Sequence, residues 1–219
     1  MARMASSVNR TEPRAYRSAA RTDAARRTRR QVLEAAHRLF GEQGYPRTTL
    51  VEIAAAAGVS VETVYKTFRN KRGLLKELAD VTIGGDDEPV ALLERPDPLA
   101  LRDEADQLRQ IAMFATEMAA RMERVRPFDD IMRSAAVVDP EVAALRDDLQ
   151  LRQRRAAMTT VAGWLVARGP LRDGVDGAAA VLWTLTSPEV NHMLRVDWGW
   201  STAQYETWLR TTLTAGLLP

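Results

Sequence analysis

The sequence predicts an all-α protein with an N-terminal three-helix domain and a larger helical C-terminal domain. Apolar residues recur at helical spacing along most of the 219 residues, and no segment alternates apolar and polar residues as a half-buried strand does. Gly84-Gly85 and the acidic, proline-containing stretch that follows interrupt this pattern. We therefore expect a disordered basic arm at 1–20, one helical domain at 21–82 and another at 83–219.

The composition is that of an ordinary soluble globular protein. Hydrophobic residues make up 46% of the chain and charged residues 27%. No apolar run approaches the roughly 20 residues that are needed to span a bilayer. The lack of cysteine excludes disulfides, thiolate metal sites and a cysteine nucleophile. We expect a cytoplasmic protein with no membrane partner.

Positive charge is concentrated at the N-terminus. Residues 1–30 hold nine arginines and two acidic residues, whereas the whole chain carries a net charge of only +2. The rest of the chain is therefore acidic, and a basic segment on an acidic body is expected when one end of a protein meets a polyanion. An organelle transit peptide would also be rich in arginine, but these arginines run directly into a predicted helix.

The first two helices are predicted from apolar spacing and caps. Helix one begins at Thr22 or Asp23 and stops near Gly41 and Gly44. Its inward face consists of Val32, Leu33, Ala36, Leu39 and Phe40. Helix two is capped by Thr48 or Thr49 and ends at Gly58. Its buried stripe consists of Leu50, Ile53, Ala54 and Ala57.

Two further helices follow almost at once. Ser60 is the predicted N-cap of helix three. Val61, Val64 and Phe68 are spaced to point inward. Asn70 can cap helix four, whose apolar positions are Leu74, Leu75 and Leu78.

The segment from Thr48 to Lys71 has the features of a helix-turn-helix. Two helices that cross at a tight turn need a small residue at the crossing and a glycine where φ is positive, which Ala54 and Gly58 supply. This geometry leaves part of helix three facing outward, where polar side chains could meet base edges in a major groove of DNA. The outward residues are Glu62, Thr63, Lys66 and Thr67. An alanine-rich hairpin that binds nothing is the alternative interpretation.

This segment resembles the N-terminal domain of the TetR family of ligand-responsive repressors over about residues 25–80. The similar elements are Thr48-Thr49, Ile53-Ala54, Ala57-Gly58-Val59-Ser60, Thr63-Val64-Tyr65, Phe68 and Asn70-Lys71. The resemblance implies that Thr49, Tyr65 and Lys71 hold phosphates. We add Thr48 and Ser60 because helix N-termini also bind phosphate.

The resemblance further implies that a set of residues on helix three faces bases: Val61, Glu62, Thr63 and Lys66. Two positions depart from the family pattern, since Thr67 stands where many members have histidine and Glu62 places an acid on the reading face. One short helix reads few base pairs, so we expect a homodimer on near-palindromic double-stranded DNA, with its reading helices about 34–36 Å apart. Repression, relieved by a ligand that prefers the non-binding state, is the predicted mode.

The C-terminal half is predicted to contain helices at about 98–125, 127–136, 140–168, 175–196 with a break at Pro188, and 201–216. The last two carry apolar faces that form either core or a partner surface: Ala178, Ala179, Val181, Leu182, Leu185, Tyr205, Trp208, Leu209, Thr212 and Leu213. The family resemblance favours a homodimer through these helices.

Methionine and aromatic residues cluster in the middle helices. Methionine adapts its shape and aromatic rings provide flat apolar walls, which suits a lipophilic small-molecule effector. The candidate residues are Met113, Phe114, Met118, Met122, Phe128, Met132, Met158, Trp164 and Trp183, with Asn191 and His192 as polar contacts. Plain core packing is the alternative for each of them.

No catalytic constellation is evident in the sequence. The two histidines, His37 and His192, lie far apart, and the acidic pair Asp129-Asp130 looks like solvated helix positions. We therefore expect no enzymatic activity, no cofactor and no metal. The alternatives to a ligand-responsive regulator are a DNA-binding protein without an effector and an all-α small-molecule-binding protein without a DNA role.

Overall fold

The computed structural model describes residues 14–86, 88 and 90–219, with side chains from Thr22 onward. The described chain is helical and contains no strand, which confirms the all-α prediction. The N-terminal helices are α1 (Arg14–Gln43), α2 (Leu50–Ala57), α3 (Val61–Phe68) and α4 (Lys71–Gly84). None of the described helices is both long enough and apolar enough to cross a membrane.

Seven helices make up the C-terminal part of the described chain: α5 (Pro96–Asp103), α6 (Gln107–Ala136), α7 (Pro140–Asp147), α8 (Arg155–Val166), α9 (Gly174–Leu185), α10 (Pro188–His192) and α11 (Thr202–Leu217). A 3₁₀ turn at Leu92–Glu94 precedes α5. Segments of π-helix at Asp148–Arg154 and Met193–Asp197 follow α7 and α10.

Helix α1 begins earlier than its predicted cap at Thr22 or Asp23. It starts at Arg14, so the disorder predicted for 1–20 is wrong for residues 14–20, and residues 1–13 of the predicted arm lie outside the described residues. This part of α1 is rich in alanine and arginine, which favour helix without any apolar stripe. A search for apolar periodicity therefore misses it.

The turn between α2 and α3 confirms the predicted caps. Thr49, not Thr48, caps α2 in a reciprocal capping box with Glu52. Gly58 ends α2 with φ of 68°, the left-handed conformation that glycine adopts without strain. The Ser60 hydroxyl accepts a hydrogen bond from the Thr63 amide at 3.2 Å and so caps α3. The start of the reading helix is thus fixed by its own sequence.

Helices α3 and α4 are joined by a very tight turn. Arg69 has φ of 65° and ψ of −49°, and the Asn70 amide donates to the Phe68 carbonyl at 2.7 Å, which together form a γ-turn. Asn70 then caps α4 by accepting from the Gly73 amide at 2.8 Å. A Cβ at position 73 would overlap the Phe68 carbonyl oxygen. Only glycine fits here, because the two helix backbones meet.

Helix α6 passes through Pro127 without ending, so the predicted break between 125 and 127 is wrong. Proline removes one helical hydrogen bond, but Val125 and Phe128 on either side of it are buried. Tertiary packing on both sides of the proline holds the helix together. The predicted helix 98–125 is instead divided near Glu104, and Asp106 caps α6 by accepting from the Arg109 amide at 2.7 Å.

Two apolar clusters form the core. The first joins α1–α4 to the C-terminal end of α6 and to α7, through Phe128, Met132 and Val142. The second joins the N-terminal part of α6 to α8, α9 and α11. Helix α6 therefore belongs to both clusters, and the first cluster crosses the predicted boundary at residue 82.

Most of the residues offered as a partner surface are buried within the protomer. The second cluster takes up Ala178, Ala179, Leu182, Tyr205, Leu209 and Leu213, so the core interpretation holds for them. Val181, Leu185, Trp208 and Thr212 are half-buried, and the first three also pack against this cluster.

Candidate nucleic-acid interface and ligand cavity

Helix α3 is anchored on one side and exposed on the other. Val64 is fully buried and Phe68 is 4% exposed, so both hold the helix against the first cluster. The opposite side carries the exposed residues Glu62, Tyr65, Lys66 and Thr67, with Tyr65 52% exposed. These side chains lie where the spacing of apolar residues predicted, and they form an outward polar face on a fixed helix.

The outward face is narrower than predicted. Val61 is half-buried and packs against the first cluster. Thr63 is also half-buried, and its hydroxyl lies 3.0 Å from the Ser60 hydroxyl. The Thr67 hydroxyl donates to the Thr63 carbonyl at 2.8 Å. Glu62, Tyr65 and Lys66 are therefore the side chains freest to reach a duplex.

Thr48 does not belong to an exposed interface. Its residue is 1% exposed, and its hydroxyl donates to the carbonyls of Gly44 at 2.9 Å and Leu39 at 3.2 Å. The prediction of a DNA contact from the Thr48 side chain is wrong, because this threonine closes the turn between α1 and α2. Thr49 is exposed at the N-terminus of α2, as expected for a phosphate contact.

Lys71 lies partly inside the domain. Its ammonium donates to the carbonyls of Tyr45 at 2.8 Å and Thr48 at 3.0 Å, and it lies 4.2 Å from the centre of the Tyr45 ring. Burial lowers the pKa of Lys71, and the nearby charge of Asp139 opposes that shift. An ammonium has three N–H donors, so one remains for a phosphate while two tie α4 to the start of α2.

Two exposed arginines that the sequence analysis did not single out flank the α2–α3 pair. Arg47 precedes α2, and Arg69 occupies the γ-turn after α3. Both are next to a helix N-terminus, where phosphate is favoured. Arg47 could have been found from its place beside the Thr49 cap, whereas the turn at Arg69 has no sequence signal.

Two carboxylates limit where phosphate can lie. Hydrogen bonds from the Thr49 amide and hydroxyl lower the pKa of Glu52. The Glu62 amide and the Ser60 hydroxyl likewise lower the pKa of Glu62. Both side chains are therefore anionic at neutral pH and repel phosphate. Phosphate contacts are favoured at the basic positions Arg47, Lys66 and Arg69.

A cavity of about 420 Å³ lies between the end of α4, the 3₁₀ turn, α6, α8 and the π-helical segment before α8. Five of the predicted ligand-binding residues line it: Met118, Met122, Phe128, Met132 and Met158. This volume is within the range of small-molecule sites. The walls are mainly apolar, as expected for a lipophilic ligand.

Six other predicted ligand residues lie outside this cavity. Phe114, Met113, Trp164 and Trp183 belong to or pack against the second cluster. Asn191 is fully buried elsewhere, and the His192 ring lies between Asp130 at 3.5 Å and Asp197 at 3.8 Å. Core packing is the better interpretation for the first five, whereas His192 is half-buried beside two carboxylates. Composition alone does not show which side of a helix meets a cavity.

The polar lining of the cavity was missed from the sequence. Asp129, interpreted there as solvated, is 4% exposed and receives two hydrogen bonds from Arg146, at 3.1 and 3.0 Å. Arg121 and Arg154 also line the cavity. The N–H of Trp183 donates to the Gln150 carbonyl at 3.1 Å, and the Arg154 guanidinium lies 5.4 Å from the Trp183 ring. No spacing rule connects these positions, which the fold brings together.

Comparison with known proteins agrees with this geometry. The family model described as "Bacterial regulatory proteins, tetR family" matches residues 32–78, which span the end of α1 to α4. The chain is 29% identical over 167 residues to the HTH-type transcriptional regulator TtgR of Pseudomonas putida, covering 72% of this chain and 75% of that protein. It is 32% identical over 130 residues to the HTH-type transcriptional repressor Rv1474c of Mycobacterium tuberculosis, covering 58% and 67% respectively.

The likeness in structure extends over most of the chain. The crystal structure of NalD from Pseudomonas aeruginosa, a repressor, gives a TM-score of 0.64 at 23% identity and covers 90% of this chain and 98% of that chain. That likeness supports the arrangement of the C-terminal helices, which the family model does not cover. From the helix-turn-helix and these relatives together, the chain belongs to the TetR family of bacterial transcriptional regulators.

Proposed function

We propose that this chain is a repressor that binds a near-palindromic DNA site as a homodimer and releases it when an apolar effector occupies the cavity. The observation that carries the proposal is the division of α3 into a buried side at Val64 and Phe68 and an exposed polar side. A helix held in this way presents its side chains to a major groove with little loss of conformational freedom on binding.

Affinity and sequence choice come from different residues in this proposal. Lys66 and the arginines at 47 and 69 supply positive charge for phosphates, a contribution that weakens as salt rises. Glu62 and Tyr65 meet base edges or the adjacent backbone. Because one eight-residue helix reads few base pairs, a second copy is needed for a specific site.

Helix α4 connects the cavity to the reading helix. Ile83, near its C-terminal end, lines the cavity, whereas Lys71 at its start is bonded to the turn before α2. An effector that prefers one position of α4 therefore biases the spacing of the two reading helices in a dimer. Only a difference in effector affinity between the two states can do this.

The partly exposed residues of α9 and α11 are the proposed homodimer surface. Val181, Leu185 and Trp208 pack against the second cluster and still keep part of their apolar surface exposed. Paired helices from two copies would cover them in a symmetric interface.

The DNA role is tested with the full-length protein in a selection from random duplexes. We expect enrichment of a near-palindromic sequence, with affinity that falls as salt is raised from about 50 to about 200 mM. Tyr65→Ala combined with Lys66→Ala should weaken binding by at least about tenfold, the loss expected from removing one or two good contacts. The variant should remain folded, because both residues are exposed.

Lys76→Ala is the matched control. Lys76 is an exposed lysine on α4 whose charge acts on Asp148, so it lies toward the C-terminal domain. Its replacement should leave duplex affinity unchanged. Failure to enrich any sequence, or equal binding by the double variant and the wild type, overturns the DNA role and leaves a small-molecule-binding protein.

A further inference from the structure

Three arginines line the cavity proposed for the effector, and they differ in whether a carboxylate pairs with their charge. Arg121 forms an ion pair with Glu117, one turn away on α6. Arg146 is held by Asp129 at 3.0 Å and by Glu189 at 2.7 Å. The charge of each of these arginines is therefore matched by carboxylate within the protein.

Arg154 has no such partner. Among the residues that the structure describes, no carboxylate lies within ion-pair distance of its guanidinium. Its Nη2 donates to the Trp183 carbonyl and, at 2.9 Å, to the Thr186 hydroxyl, both of which are neutral. Its Nε and Nη1 are buried and have no hydrogen-bond partner in the described part of the chain. Arg154 lines the cavity, and within the described ranges its guanidinium lacks both a carboxylate in ion-pair contact and an acceptor for two of its nitrogen atoms.

Such a group is unfavourable in the protein alone. Burial lowers the pKa of Arg154 to about 10, and the charges of Glu189 and Asp129 offset only part of that shift. A buried donor that lacks an acceptor loses the hydrogen bonds that water would have given it. A ligand with a negative charge at this wall would balance the charge of Arg154, and a small side-chain movement would let Nε or Nη1 donate to its oxygens.

The remaining lining restricts the kind of anion. Five thioether and aromatic side chains, named above, form apolar walls that favour an alkyl or aryl body. Asp129 also faces the cavity but is already bonded to Arg146, and Glu94 is exposed at the edge. A carboxylate carries one charge, whereas a phosphate monoester carries about −1.5 to −2 at neutral pH, so a carboxylate matches one unpaired guanidinium better.

We propose that the cavity binds an apolar monocarboxylate whose head group is held by Arg154. This inference rests on the proposed function for the role of the cavity, and it adds the chemical class of the effector. It predicts that head-group charge, not only apolar bulk, determines which molecules bind.

The test measures the affinity of the full-length protein, without DNA, for decanoate, decanol and decyl phosphate. These probes share one alkyl chain and differ in head group. Decanoate should bind wild type at least about tenfold more tightly than decanol, as expected for a desolvated charge pair. It should also bind more tightly than decyl phosphate.

Arg154→Met should remove the preference for decanoate over decanol while decanol binding changes little. Arg155→Met is the matched control, since the adjacent Arg155 is exposed and does not line the cavity. Arg154→Gln is measured as well. This variant also removes the positive charge, so it tests the proposal if Arg154→Met fails to fold.

Three outcomes overturn the proposal: equal binding of decanoate and decanol by wild type, a preference that persists without Arg154, or binding of none of the probes. Tighter binding of decyl phosphate than of decanoate also contradicts it. Because no DNA is present, these results are independent of the duplex selection. A protein that binds decanoate through Arg154 but no duplex retains this inference and loses the repressor role.

Discussion

Two lysines in the helix-turn-helix have the same chemistry and different surroundings. Lys66 is exposed on α3, whereas Lys71 is partly buried and bonded to two main-chain carbonyls. The first is available to a partner, and the second mainly positions α2 against α4. A loss of DNA affinity in a Lys71 variant therefore has two possible origins, which stability measurements separate.

We expect Lys71→Met to lower the free energy of unfolding by about 1–3 kcal/mol, because the carbonyls of Tyr45 and Thr48 lose their donor. Lys66→Met should change it by less than about 0.5 kcal/mol while still weakening duplex binding. Urea denaturation of both variants checks this. Equal stability of the two variants would show that the Lys71 contacts contribute nothing measurable.

Tyr205 gives a prediction at alkaline pH. Its residue is fully buried, its hydroxyl donates to the Leu185 carbonyl at 3.3 Å, and burial raises its pKa to about 12. Because the folded-state pKa of Tyr205 lies above the unfolded value of about 10, the protonated phenol contributes its full stabilisation of the folded state below pH 10. This stabilisation is lost as the pH rises toward 12.

The unfolding free energy of wild type, relative to Tyr205→Phe, should therefore fall by up to about 3 kcal/mol across that window. Denaturant titrations at several pH values measure the difference, and Tyr65→Phe provides the matched exposed phenol. A difference between wild type and Tyr205→Phe that stays constant from pH 9 to pH 12 would contradict this expectation.

Residue types alone did not distinguish neighbours along the chain. Thr48 and Thr49 are identical in chemistry, yet one closes a buried turn and the other caps α2. Asp129 and Asp130 are adjacent on α6, but only Asp129 faces Arg146 within the fold. Local spacing identifies which residues can cap or pair, and long-range packing decides which of them do.

At the scale of elements, the junction between α3 and α4 sets the position of the reading helix. The γ-turn at Arg69 lets α4 start immediately after α3, and Gly73 allows its backbone to touch the Phe68 carbonyl. Neither the positive φ at Arg69 nor the lack of a Cβ at Gly73 depends on side-chain packing. A substitution here disturbs α3 without removing any of its outward side chains.

We expect Gly73→Ala to destabilise the protein by roughly 2 kcal/mol or more, because the added Cβ forces the backbone out of its bonded turn. Gly163→Ala is the matched control: its Cβ would meet nothing within 4 Å in the middle of α8, so stability should rise by up to about 1 kcal/mol. Thermal unfolding of both variants checks the contrast. If both substitutions destabilise the protein, the junction between α3 and α4 is not specifically sensitive to an added Cβ, and the expectation is wrong.

The short helices α2 and α3 were predictable because caps and glycine at Thr49, Gly58 and Ser60 mark their ends. Helix α1 was placed too late, since its first turns have helix-forming composition but no apolar stripe. The passage of α6 through Pro127 was not predictable either. Burial of Val125 and Phe128 in two different clusters, which keeps that helix continuous, is a tertiary effect.

At the scale of the whole molecule, α6 makes the two clusters one structure. Its C-terminal end completes the core under α1–α4, and its N-terminal part packs with α8, α9 and α11. Arg72 of α4 adds ion pairs to Asp139 at 3.2 Å and to Glu141, across the same boundary. The core under α1–α4 is therefore completed by residues of the C-terminal helices.

We expect the protein to unfold in a single transition. The five tryptophans lie between Trp164 and Trp208, so their fluorescence reports the C-terminal helices, whereas far-ultraviolet circular dichroism reports all helices. The two signals should follow the same denaturation curve, as for one cooperative unit. An earlier loss of helix signal, with tryptophan emission unchanged, would show that α1–α4 unfold separately.

Trp183 has a consequence for experiment. Its indole N–H is bonded to the Gln150 carbonyl and its ring lies beside the Arg154 guanidinium, while both Gln150 and Arg154 line the cavity. A compound that draws Arg154 toward itself alters the electric field across the indole, and emission colour is sensitive to that field. If the effector binds at Arg154 as proposed, a shift in Trp183 emission should report its occupancy without a dye, with Trp183→Phe as the blank.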